Sequence, residues 1–224
     1  MTRHLPLALA LLLLGGGALQ LSADDKSKPA KDLKALKPAE VKFKVRAYCY
    51  GASKIKDEKA LGGFGGSKNF ATKITKPDRF KKGELSLVAV PSELRAFAKV
   101  RGFALYLANR TGETVAISAS DSRLSILREA RDKDGKWKPI EYAPSSWCGN
   151  SYHRLLLADG LRWEFKAPEY AGPFETEMRF ALTGVAGRKD KPIYSNVFKG
   201  KIHPEQFTGK QGHTPNGLMD PYNE

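Results

Sequence analysis

Serine, lysine, histidine and cysteine at short spacings are the raw material of a reactive site, and this chain offers several such groupings. Gly149-Asn150-Ser151-Tyr152-His153 begins like the G-x-S-x-G elbow that exposes a nucleophilic serine, but His153 stands where the second glycine is needed. That elbow also requires a strand-to-helix turn, whereas the residues after Ser151 alternate like a strand. Ser53-Lys54-Ile55-Lys56 has the spacing of the acylating S-x-x-K motif, yet no K-T-G follows it. The run Gly62-Gly63-Phe64-Gly65-Gly66-Ser67 lacks the second glycine and the Ser/Thr of a phosphate-binding loop, so it reads as a flexible loop. His153, His203 and His213 are far apart, and no C-x₂-C or H-x₃-H spacing occurs. Asp132 and Asp134-Gly135 resemble a fragment of a calcium loop without its remaining ligands, which predicts a hairpin turn instead. Asn109-Arg110-Thr111 is a glycosylation sequon. No metal site, cofactor or catalytic constellation is expected, and a hydrolase ranks third among the functional classes.

The dense grouping is 142–153, where Trp147, Asn150 and Tyr152 crowd beside Pro144, Ser145, Ser146 and Cys148. Aromatic faces stack on sugar rings or protein side chains, and the amide and hydroxyls hydrogen-bond. Trp147, Asn150 and Tyr152 are therefore the candidate ligand-binding residues. In the competing reading Trp147 packs in the core beside a Cys148 disulfide, and the polar residues form its turn.

Cys49 and Cys148 are the two cysteines. In an oxidising compartment an even pair predicts one bridge, worth about 4–5 kcal/mol for a loop of this length; the alternative is two buried thiols that never meet.

These groups must be held by strands. Val41, Phe43, Val45, Ala47 and Cys49 alternate with polar residues, the period of a half-buried strand. Residues 51–82 lose that order and read as a long Gly/Lys-rich loop with one short strand near 70–75. From 85 onward, strand-like runs recur at 85–90, 103–108, 114–118, 124–130, 136–142, 152–157, 161–166, 174–182 and 193–202. Pro91 ends the first of them, and Asp134-Gly135 is a hairpin signal. A helix over 122–131 is the competitor, disfavoured by the Asp-Gly that follows. The pattern predicts an all-β antiparallel sandwich of roughly 8–10 short strands with a basic N-terminal extension. The domain spans 41–202, with its core module at 83–202 and a polar, extended tail at 203–224.

Residues 105–112, Leu-Tyr-Leu-Ala-Asn-Arg-Thr-Gly, give an apolar strand, an Asn and a turn. With the regular strands around them, 85–202 resembles the immunoglobulin-like or fibronectin-type modules of bacterial exported proteins. The resemblance implies a fold class and carries no functional residue across. Cys49 lies outside the resembling stretch.

Residues 1–23 have the layout of a cleaved signal peptide: Arg3, an apolar run from Leu5 to Leu14, three glycines, and Ala23 before Asp24-Asp25. The expectation is an exported protein, periplasmic or secreted, with a mature end at Asp24 and no transmembrane span after cleavage. Lysine and arginine number 38 against 24 acids, and the excess is concentrated. Residues 24–82 hold 15 Lys and 2 Arg against 7 acids, while 83–224 hold 20 basic and 17 acidic residues. Residues 24–40 read as a basic, flexible tether. Lysine predominates over arginine, the better base reader, so sequence-specific nucleic-acid binding is not expected. The partners that fit are an anionic envelope polymer, a glycan or an exported protein. The functional class expected is a non-enzymatic binding or structural module, with an inhibitor or accessory protein of an exported hydrolase as the alternative.

Overall fold

A computed structural model describes residues 30–144, 149–189 and 191–209. In chain order a short helix, α1 (Ala30–Ala35), precedes β1 (Ala39–Glu40), β2 (Val45–Arg46) and β3 (Thr72–Lys73). Then come β4 (Leu85–Phe97), β5 (Val100–Asn109), β6 (Val115–Ser120), β7 (Arg123–Leu124), β8 (Ile126–Arg131), β9 (Trp137–Pro139) and β10 (Glu141–Tyr142). The set ends with β11 (Tyr152–Leu157), β12 (Leu161–Pro168), β13 (Tyr170–Ala171), β14 (Phe174–Leu182), β15 (Ile193–Tyr194) and β16 (Phe198–Ile202).

The protein is an all-β, sandwich-like fold. One sheet runs β3-β12-β5-β4; facing it are β15-β14-β8-β9, with β16 also on β14, and β11-β6-β7. Backbone bonds from Ser118 to Gly184 (2.9 Å) and Ala186 to Ala116 (3.0 Å) join β6 to the chain leaving β14. The main ladders are antiparallel, and only the two-residue pairs β1–β13 and β10–β2 are parallel. Leu87, Leu105, Leu107, Trp163 and Phe165 of one sheet meet Ile117, Leu124, Ile126, Leu157 and Phe180 of the other, so the alternating apolar positions close one core.

Residues 123–131 are strand, not helix, because their period-2 face is buried: Ile126, Arg128 and Ala130 point inward. Pro91 does not end β4. The strand continues across a bulge, with Val90 opposite Ala104 and Leu94 opposite Phe103, and the proline sits where no ladder bond is required. The expected strand at 41–50 keeps its buried phase at Ala47 and Cys49, but only Val45–Arg46 pairs in a ladder. Elsewhere it bonds at single points, such as Leu124 N–H to Cys49 O (2.9 Å). The tail expected from 203 starts as a docked 3₁₀ turn (Pro204–Phe207), with His203 and Gln206 buried and Phe207 against Phe174.

The Gly/Lys-rich loop is pinned as a strap. Ser53 Oγ donates to Leu156 O (2.7 Å), Trp163 Nε1 to Ala52 O (2.9 Å), and Asn69 Nδ2 to Glu164 O (3.0 Å). Asp57 accepts from the backbone N–H and the guanidinium of Arg154. Glycines allow the tight course, since Gly62 and Gly63 have φ near +80°. The strap covers edges of β11 and β12 that would otherwise offer unpaired backbone groups.

Candidate anion-binding cleft

Arg128 lies on the core phase of β8 and is fully buried. Its guanidinium carbon stands 4.4 Å from the Tyr170 ring centre, 4.8 Å from that of Phe180 and 5.3 Å from that of Phe103. Glu141, also fully buried, faces it with Oε1 at 3.4 Å from Nε. The carboxylate is well supplied with donors. Tyr48 OH (2.9 Å) and Tyr170 OH (2.8 Å) donate to Oε1, and the Arg128 backbone N–H donates to Oε2 (2.9 Å). Arg128 Nη2 donates to Tyr48 OH at 3.0 Å, while Nη1 has no acceptor. Burial, reinforced by the neighbouring carboxylate, holds the hydroxyls of Tyr48 and Tyr170 well above their ordinary pKa, so both remain donors.

Arg128 borders a cleft of about 560 Å³ where the two sheets part. Pro91 of the β4 bulge stands on one side and Lys199–Lys201 of β16 on the other. Phe103, Tyr170, Met178 and Phe198 supply apolar wall. At the rim Arg101 forks onto Glu169, with Nε to Oε2 at 2.6 Å and Nη2 to Oε1 at 2.7 Å. Lys199, Lys201 and Glu175 are exposed there. Gly200 keeps the wall open for Met178, whose Cε would lie 2.0 Å from an added Cβ. Arg101, Arg128, Lys199 and Lys201 thus outnumber Glu141, Glu169 and Glu175 by one positive charge.

Asn150 and Tyr152, singled out by sequence, lie elsewhere. Asn150 is exposed in a 3₁₀ turn (Gly149–Ser151), and Tyr152 is 51% exposed at the start of β11. Trp147 lies outside the described residues. Cys148 lies outside them too; Cys49 is fully buried with a free thiol, and no disulfide is present among the described residues. Ser151 is buried in the turn, not presented at an elbow. His153 is buried with its ring stacked on Phe64 at 3.7 Å and Nδ1 3.2 Å from Ser151 O. Asp132 Oδ1 accepts the N–H groups of Asp134 and Lys136, which accounts for the Asp-Gly sequence as a turn.

Sequence reasoning passed over Arg128 and Glu141. The usable signal was phase: Arg128 shares the inward side of β8 with Ile126 and Ala130, and a charge there demands a buried counter-charge.

No protein-family model, curated protein or solved structure matches the chain.

Proposed function

We propose that the protein is an exported, non-catalytic binding module that takes an anionic ligand in the cleft between β4 and β16. The observation that carries this reading is the one-charge excess around an aromatic-walled opening of about 560 Å³, a size suited to a small ligand or a short segment of a larger one. Phe103, Tyr170, Met178 and Phe198 offer an apolar body its contact. Lys199 and Lys201 attract a negative group to the rim, and Arg128 Nη1 lacks an acceptor. Two of the three carboxylates favour binding over catalysis, since Glu169 is committed to Arg101 and Glu141 to Arg128 and two tyrosines, and Glu175 stands exposed at the rim. The export signal read at residues 1–23 supplies the compartment in which that ligand is met.

Met178 makes the test direct. The chain has three methionines, and its Cε lies at the cleft wall. In a chain carrying ¹³C-methyl methionine, titration with decanoate should shift the Met178 resonance, identified by its loss in Met178→Leu. Decanol should shift it less, and Lys199→Glu with Lys201→Glu should weaken the decanoate response by tenfold or more, about 1.4 kcal/mol. An unmoved resonance with decanoate and with short acidic peptides alike would remove the cleft from consideration.

A further inference from the structure

Among the described residues, five of the seven large apolar side chains left open to solvent belong to segment 50–70 or to Tyr152. The strap places them together. Ser53 is fixed at Leu156, Asp57 at Arg154 and Phe64 at His153, and an added Cβ on Gly63 would stand 3.7 Å from the Asn150 amide, so the segment runs alongside β11. With those anchors turned inward, Ile55 is left 42% exposed and Leu61 80% exposed. Lys54, Lys56, Lys59 and Lys68 are exposed among them, with Glu58 the one exposed acid, since Asp57 is held by Arg154.

We infer that this strap is a docking surface for an anionic lipid bilayer. Leu61 and Ile55 enter the acyl boundary, Tyr152 sits at headgroup level, and the lysines face the anionic headgroups. The chemistry favours lipid over a protein partner on two counts. Ile55 stands between Lys54 and Lys56 and Leu61 two positions from Lys59, so each apolar side chain that would enter a bilayer has a cation beside it to meet the headgroups. The cations are all lysine, a flexible hydrated point charge suited to a diffuse anionic surface, and not arginine, whose fork suits a fixed carboxylate. Each lysine near such a surface strengthens binding about fivefold, and burial of one leucine by about tenfold or more.

The test is co-sedimentation with phosphatidylcholine vesicles made with and without phosphatidylglycerol, using the chain processed at Asp24 so that residues 1–23 do not themselves bind lipid. Binding is expected on the anionic vesicles and not on the neutral ones, falling as salt rises. Leu61→Asp should reduce it about tenfold or more while leaving the thermal midpoint unchanged, because Leu61 packs against little. Leu61→Trp should keep binding and shift its emission to the blue on anionic vesicles. Lys199→Glu with Lys201→Glu, at the cleft, should have at most a small effect, which separates this surface from the proposed ligand site. Equal binding by Leu61→Asp, or no blue shift, would overturn the inference in favour of adsorption by charge alone. Binding to an acidic protein or polymer with none to vesicles would overturn it in favour of that partner.

Discussion

Arg128 and Glu141 face one another at 3.4 Å with neither side chain open to solvent. An ion pair of this kind is bound less by its own attraction than by the loss that follows when one partner is left alone in a low-dielectric interior. Arg128→Met should therefore cost about 3–5 kcal/mol, because Glu141 would lose its counter-charge in the interior. Arg128→Met combined with Glu141→Leu should recover much of that loss, since no charge is then stranded. Urea unfolding of the single and double variants measures both. A double variant as unstable as the sum of the singles would mean that the network is held mainly by its tyrosine hydrogen bonds.

Asp57 gives a pH-dependent fastening for the strap. The hydrogen bonds from the Arg154 guanidinium, with help from backbone N–H groups, lower its carboxyl from the usual 3.8 to about 2. A folded pKa below the unfolded one means that its contribution is complete above about pH 4 and disappears as pH falls through about 2. Asp57→Asn should accordingly be less stable than the parent at pH 7, and the two should converge near pH 2. Thermal midpoints across that range provide the check; a gap that stays constant with pH would exclude the ion pair as its cause.

Burial pushes the Cys49 thiol well above its ordinary pKa, with Glu141 adding to the shift. The thiolate is the reactive form, so Cys49 should be inert in the folded protein. In Cys148→Ser, iodoacetamide should label Cys49 only after denaturant is added. In the parent chain, an intact mass two hydrogens below the fully reduced value would establish the bridge expected from the sequence.

Asn196 imitates a strand at the open edge of β4, with Oδ1 accepting from Ala89 N–H (2.9 Å) and Nδ2 donating to Ala89 O (3.0 Å). Asn196→Ala leaves both backbone groups without their partner and should cost about 1–3 kcal/mol. It also bares an edge, so a concentration-dependent dimer should appear in sedimentation analysis. A monomeric, equally stable variant would show that water replaces the amide without loss.

The signal-peptide reading predicts a mature chain that begins at Asp24 when the protein is made in an exporting host. Intact mass decides this, and retention of Met1 or Thr2 would defeat both cleavage and the reading of a soluble mature chain.

The local code was enough for the strand content. The strand-like runs at 152–157 and 174–182 are β11 and β14, and Asp134-Gly135 is the turn between β8 and β9, because those features depend on neighbouring residues alone. Charge placement likewise made the strap basic in the sequence itself. Tertiary structure decided what local pattern cannot encode. Pro91 reads as a stop, yet the edge position of β4 and its bulge let the strand pass, since an unpaired position needs no N–H. The Gly-rich run reads as a free loop, yet Trp163, Arg154 and Asn69 hold the segment from more than ninety positions away or from within it. Phase puts Arg128 on the inward side of β8, and the meeting of β8 with β10, β13 and Tyr48 makes it the centre of a buried network beside a cleft. A side chain's phase is written locally, but the partner that makes a buried charge tolerable is brought to it by the fold.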